Sequence, residues 1–431
     1  MTAADQGVLV VGAGQAGLQL ACSLRDGGYD GRVTLVGDDP HPPYQRPPLS
    51  KGYLKRTVTG ADALALRTAD FYTARRIDLV VGDRVVSVSR DADGSGEAVC
   101  ASGRTVAFRI LVLATGARPR QLVVDGAGAD DPAAGIHVLR TVSDADALAA
   151  RLDEVDEVVV VGGGFIGLEI AATARGAGKR VTVLESAPQL LGRVVGPATA
   201  EHVLGLHRAS GIDVRLAVGP ARILLDAGRV TAVELSDGAR VPAQLVVAGI
   251  GAVPNTELAE SLGLVCAGGV VVDELSRASD GLTLAVGDCA VVPDPTPAAR
   301  AGARLRMESV DNAVEQAKAA AATILGERRP YASIPWFWSD QGDLKLQIVG
   351  LRDVTDTVVL RRTDDPTRFV AGYYRDGRLV AAEAVNAPAD FMALKKALGS
   401  GMTFDPAALA DPGVPLKNLL KGAAAHAVTG G

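Results

Sequence analysis

The sequence predicts an α/β protein: two Rossmann-like dinucleotide-binding domains, the second inserted in the first, followed by a C-terminal α+β domain. Three observations predict it. An apolar strand running into Gly-x-Gly-x-x-Gly occurs twice, at Val8–Gly17 and again at Val158–Gly167. Further landmarks recur in the same order after each copy. Beyond Pro330 the composition changes, and both tryptophans of the chain fall in Pro335-Trp336-Phe337-Trp338.

In the first copy, Val8–Val11 leads into Gly12-Ala13-Gly14-Gln15-Ala16-Gly17. A helix is expected over 18–25, then a strand over 32–36 that ends in Gly37-Asp38-Asp39. In the second, Val158–Val161 leads into Gly162-Gly163-Gly164-Phe165-Ile166-Gly167. A helix over 168–175 and a strand over 180–184 follow, ending in Glu185. Runs apolar on both faces and this short read as buried parallel strands. Later, Ile110–Pro119 is echoed by Leu245–Pro254. The segment Leu282–Asp288 has no counterpart in the second unit, so the chain is expected to return to the first domain there. The predicted limits are 1–117 with 250–326, 118–249 inserted, and 327–431. An alanine-rich helix over 309–325 should carry Glu315 and Lys318 on its exposed face. The last domain should hold strands near 344–349, 357–360, 369–374 and 378–384, and a helix near 389–398.

Bulk properties restrict the function. A chain of 431 residues is long enough for two or three cores. A net charge of −6 argues against nucleic acid as a bulk partner. Cys22, Cys100, Cys266 and Cys289 are widely spaced, which suits reduced thiols rather than a disulfide framework. No apolar run reaches the roughly 18–20 residues of a membrane helix, and no leader is evident, so a cytoplasmic protein without membrane contact is expected. The five histidines (His41, His137, His202, His207, His426) form no chelating pattern, and no metal is expected.

Each fingerprint has a defined task. The first glycine makes the tight turn, the second admits a pyrophosphate and the third lets the helix lie close to the strand. The helix N-terminus then offers free N–H groups to phosphate. An acidic residue ending the next strand accepts hydrogen bonds from the adenosine ribose. Glu185 fills that position in the second unit, with no arginine adjacent, and a carboxylate there favours NADH over NADPH. In the first unit Gly37 stands in its place, so Asp38 or Asp39 must serve, with Asp38 preferred. Asp288, ending a strand of the first unit, suits the ribitol hydroxyls of FAD. FAD is therefore assigned to the first unit and NADH to the second.

Several runs resemble the NADH-dependent ferredoxin reductases of bacterial cytochrome P450 and ring-hydroxylating oxygenase systems. They are His41–Lys51, Ala114–Pro119, Val286–Ala290, Glu308–Ala313 and, most specifically, Pro335-Trp336-Phe337-Trp338-Ser339-Asp340-Gln341. The resemblance covers essentially the whole chain. It implies FAD contacts at Gly12, Gly14, Ala16, Gly17, Asp38, Arg46, Lys51, Val85, Ala114, Thr115, Gly116, Arg118, Asp288, Val310 and Trp338. NAD contacts are implied at Gly162, Gly164, Phe165, Ile166, Gly167, Glu169, Glu185, Gly251 and Glu308. Lys51 and Glu169 match a pair lying near flavin N5, and Phe165 matches an aromatic gate over the flavin. The implied partner is a [2Fe–2S] ferredoxin, with Arg67, Lys318, Lys395 and Lys396 as docking candidates. Gly342 and Ala387 depart from the family pattern, both in the third domain.

Flavin bridges a two-electron donor and a one-electron acceptor, so no nucleophile is needed. A disulfide or peroxide reductase needs a cysteine beside the flavin, and residues 38–54 contain none. Cys289, without a partner cysteine, reads as a small buried residue. Two further readings remain: a rubredoxin reductase, and a flavin-binding interaction protein related to apoptosis-inducing factor.

Overall fold

In the computed structural model, residues 7–125, 130–296 and 299–420 are described. They form two compact units. The first comprises the described residues of 7–46, 59–118 and 252–333; the second comprises those of 47–58, 119–251 and 334–420.

The first unit is built on a sheet in the order Ile77–Val80, Val33–Val36, Gly7–Val11, Thr105–Leu113, Gly96–Cys100, Val85–Arg90. The first four strands run parallel, and the last two are antiparallel additions. The return expected near residue 282 is present: Leu284–Ala285 pairs parallel with Val112–Leu113 of the same sheet. Both faces of this sheet are covered, so both sets of alternating residues are apolar. Val8, Val10, Val33 and Leu35 face a core shared with Leu18, Leu20 and Leu24 of helix Gln15–Asp26 and with alanines of helix Val310–Ile324. Leu9, Val11, Val36, Leu111 and Leu113 face the opposite core.

Helix Val310–Ile324 begins where Ser309 accepts the N–H of Asn312. Its alanine-rich face lets it lie close to the fingerprint helix, within reach of Gly27, where an added Cβ would strike Leu325.

The second unit repeats the parallel plan. Its order is Asp213–Leu216, Arg180–Glu185, Glu157–Val161, Leu245–Ala248, Ile136–His137, all parallel. Strand order from the outer strand to the late strand is the same in both copies, which is the structural form of the sequence repeat. The unit also contains an antiparallel sheet in the order Trp336–Gln341, Leu344–Gly350, Arg378–Val385, Phe369–Arg375, Thr357–Arg362. Helix Pro388–Gly399 covers it through Phe391, Leu394 and Leu398. Gly342, the departure noted above, has φ +71° in the two-residue turn joining the first two of these strands, a conformation an aromatic residue adopts only under strain.

The helices extend beyond the expected spans, to Gln15–Asp26, Phe165–Gly176 and Pro388–Gly399, because each glycine N-terminus or proline already lies within the first turn. Among the described residues, no helix is long and apolar enough to cross a membrane.

Candidate nucleotide sites

The two fingerprints share one backbone solution. Gly12 N–H donates to Val36 O at 2.7 Å, and Gly162 N–H to Leu184 O at 2.8 Å. Both glycines have positive φ, +118° and +108°, and a Cβ on either would strike a carbonyl of the late strand-turn, that of Ala114 or Gly249. Gly17 and Gly167 lie against the carbonyls of Gly12 and Gly162, where a Cβ would sit 2.1 and 2.2 Å away. The middle glycine differs. A Cβ on Gly14 meets nothing within 4 Å, and one on Gly164 meets only Gly249 O at 3.8 Å. Each is the N-cap of a 12-residue helix with no side-chain cap. Open space above uncapped N–H groups is what a pyrophosphate requires, so the chain fits two dinucleotides.

The copies diverge at one complementary pair. In the first, Ala13 occupies the turn, and a Cβ at Gly37 would lie 2.5 Å from the Ala13 Cβ. A glycine is forced at the strand end, and the carboxylates shift one and two residues on. In the second, Gly163 leaves room for Glu185. Its Oε2 accepts the Gly163 N–H at 2.7 Å, and its Oε1 accepts the Ala187 N–H at 2.7 Å. Asp39 is committed locally: it accepts bonds from the His41 N–H and the Tyr44 hydroxyl, with Arg46 4.0 Å away. Asp38 is exposed.

Asp288 lies in the turn Gly287–Cys289, packed at Gly287 against Ala16 of the first fingerprint helix. Gln316 fixes this turn by accepting the Gly287 N–H at 2.6 Å. That role was invisible in the sequence. Thr115 and Arg118 are engaged with the strand-turn that follows: the Thr115 hydroxyl donates to Asn255 O, and Arg118 reaches Asn255 Oδ1 at 2.8 Å and Glu257 at 2.7 Å. Ala114 and Val85 are buried, whereas Gly116 and Val310 are partly exposed and Glu308 is exposed, paired with Arg306. Gly251 is exposed, with the Arg193 guanidinium 3.5 Å from where its Cβ would be.

Lys51 and Glu169 meet in the second unit. Lys51 Nζ lies 2.7 Å from Glu169 Oε2, the side chains 17% and 4% exposed. Ser50 donates to the same Oε2, and Ser339 donates to Oε1 at 2.6 Å. Thr173, one turn further along the helix, donates to Ser50 O at 3.0 Å and anchors the segment that carries Lys51. Breaking such a buried pair by removing one partner costs about 3–5 kcal/mol. Phe165 opens the second fingerprint helix beside exposed Ile166, and its ring lies 4.4 Å from that of Phe337. Phe337, Trp338 and Trp336 form a contiguous aromatic row on one strand, and Lys395 lies 3.4 Å over the Trp336 ring.

The sequence pattern of the pyridine nucleotide-disulphide oxidoreductase family matches residues 6–317, and that of the reductase C-terminal family matches 336–420. The chain belongs to the pyridine nucleotide-disulphide oxidoreductase family. Within it, this reductase is one of the putidaredoxin reductase-like ferredoxin reductases. It is 40% identical to putidaredoxin reductase CamA of Pseudomonas putida, over 98% of this chain and 99% of that one. Rhodocoxin reductase of Rhodococcus erythropolis is 41% identical, over 95% and 93%. Two solved structures are similar along nearly their full length. One is the covalent putidaredoxin reductase–putidaredoxin complex (TM-score 0.91, 38% identity, 98% of this chain and 100% of that one). The other is the ferredoxin reductase for the CYP199A2 system from Rhodopseudomonas palustris (TM-score 0.89, 42% identity, 97% and 100%).

The family name includes disulphide chemistry, for which this reductase is poorly equipped. Its cysteines are free; Cys22, Cys100 and Cys289 are buried, and burial pushes the Cys289 thiol up, away from the reactive thiolate. Among the described residues, no cluster of three metal-ligating side chains occurs. His202 stacks on Phe369, His207 is buried against Gln341, and His426 lies outside the described residues. The docking candidates are unequal. Arg67 and Lys396 are exposed, but Lys318 is only half exposed and pairs with Glu315 at 2.6 Å, which offsets its charge.

Proposed function

We propose that this reductase moves electrons from NADH through FAD to a [2Fe–2S] ferredoxin, which feeds a cytochrome P450 or a ring-hydroxylating oxygenase. The observation that carries the reading is the pair of fingerprints with one turn geometry and different acids. The first, with Asp38, is assigned to FAD and the second, with Glu185, to NADH. We assign residues 1–117 with 250–326 to the FAD domain, 118–249 to the NAD domain and 327–431 to the acceptor-facing domain. Bound FAD supplies the exchange between a two-electron donor and one-electron carriers.

The chain's own residues bind, orient and shield. Uncapped N–H groups at Gly14–Ala16 and Gly164–Ile166 receive the two pyrophosphates. Asp38 and Glu185 accept the ribose hydroxyls, Asp288 the ribitol. Lys51, held by Glu169, is the fixed charge that tunes the flavin. Phe165 is the movable ring that nicotinamide displaces. Arg67, Lys395 and Lys396 supply positive charge to an acidic carrier on an acidic chain. The proposed compartment is the cytoplasm, which suits four free cysteines.

Anaerobic stopped-flow spectrometry tests the reading. Rapid bleaching of bound FAD by NADH, followed by reoxidation on mixing with a [2Fe–2S] ferredoxin, is the expected result. The carrier step should slow as ionic strength rises. Reduction by NADPH in preference to NADH, or reoxidation by rubredoxin alone, would overturn it.

A further inference from the structure

Two side chains of the Ser339-Asp340-Gln341 run extend the Lys51–Glu169 pair into the protein. Ser339 and Gln341 project from the same face of strand Trp336–Gln341, two residues apart. Gln341 Nε2 donates to Ser339 Oγ at 3.1 Å, and Ser339 donates to Glu169 Oε1 at 2.6 Å. The other end of the Gln341 amide, Oε1, lies 2.7 Å from His207 Nε2. Ser339, Gln341, His207 and Glu169 are all buried. An amide oxygen only accepts, so in this arrangement His207 must carry its proton on Nε2. Every bond then points one way: His207 to Gln341, Gln341 to Ser339, Ser339 to the carboxylate. Ser339 has one proton, and the amide behind it directs that proton onto Glu169. Burial holds the His207 imidazole below its usual range, which agrees with a neutral ring donating through one nitrogen.

We propose that Ser339, Gln341 and His207 are positioning residues for the Lys51–Glu169 pair, acting through a hydrogen-bond chain that donates in a single direction. The inference rests on the reading that this pair tunes the flavin. It gives His207, on helix Pro197–Ala209, a function no spacing rule assigns to it.

The first test is nitrogen-15 NMR of the unsubstituted holoenzyme, which requires no variant to fold. The Nε2-protonated tautomer of His207 is expected. The Nδ1-protonated tautomer overturns the proposal, because the Gln341 amide would then be reversed and Ser339 would donate to it instead of to Glu169. The second test compares flavin midpoint potentials. Gln341→Met should shift the potential in the same direction as Lys51→Met and by less. It should also slow flavin reduction by NADH. His207→Gln, which restores a donor, should recover most of the loss that His207→Phe produces. If Lys51→Met leaves the potential unmoved, the reading of the pair fails and this inference with it. If Lys51→Met moves it and Gln341→Met does not, the chain alone is refuted.

Discussion

Replacing Glu185 should change which nicotinamide dinucleotide the protein uses, and the geometry sets the size of the effect. The carboxylate cannot swing aside, since Gly163 and Ala187 each donate to one of its oxygens at 2.7 Å. A 2′-phosphate adds about −1.5 charges at neutral pH. At a separation of about 6 Å from a fixed carboxylate, such a charge would be opposed by about 1 kcal/mol in a water-like medium and about 4 kcal/mol at an effective dielectric of about 20. NADH should therefore outcompete NADPH by at least about fivefold, since each 1.4 kcal/mol is a factor of ten. Glu185→Ala removes the repulsion and also the charged acceptor of the ribose bonds, worth about 1.5–3 kcal/mol. The kcat/KM for NADH should fall roughly 10- to 100-fold while that for NADPH holds or rises. Adding Ser186→Arg at the neighbouring exposed position should carry the ratio further towards NADPH. Glu185→Gln is not a neutral control, because one end of its amide would present N–H to a backbone N–H. Steady-state reduction with both dinucleotides reads the ratio. A shift below about fivefold in the Glu185→Ala protein would refute the argument.

Two further outcomes concern stability. Glu383 is buried and accepts the Gly196 N–H and the Tyr373 hydroxyl, each at 2.9 Å, with Arg352 3.6 Å away; Glu383→Leu strands all three and should cost about 3 kcal/mol in denaturant unfolding, a loss under about 1 kcal/mol refuting it. Burial lowers the His137 imidazole from 6.5 to about 4, and among the described residues its Nε2 has no partner. The unfolded chain therefore takes up a proton that the folded one refuses. The stability contribution is full above pH 6.5 and is lost as pH falls towards 4, by about 2 kcal/mol between pH 7 and 5. His137→Leu should flatten that part of the unfolding profile, and an unchanged acid slope would count against it.

The nucleotide cradles were legible because glycine spacing encodes backbone geometry directly: Gly12, Gly17, Gly162 and Gly167 stand where a Cβ has no room. The return of the chain near Leu284 was legible because the repeat made an unmatched strand conspicuous. The environment of Glu169 was not. Ser50, Ser339 and Thr173 reach it or its partner segment across large sequence separations, and single polar residues on apolar elements carry no periodic signal. The same limit hid Gln316 behind Gly287. Helix periodicity places Glu315 and Lys318 on one face, but spacing alone does not say that the two pair at 2.6 Å and so offset each other's charge. The sequence shows that Gly37 stands where the copy has Glu185, and the structure supplies the steric reason, the methyl group of Ala13.

That methyl group also orders the history the two halves could have followed. Starting from a unit of the first kind, a glutamate introduced at the strand end before the turn had lost its alanine would collide with the Ala13 methyl group. Trimming the alanine first avoids that collision. Any attempt to convert one half into the other by design must change positions 13 and 37 together, and not 37 alone.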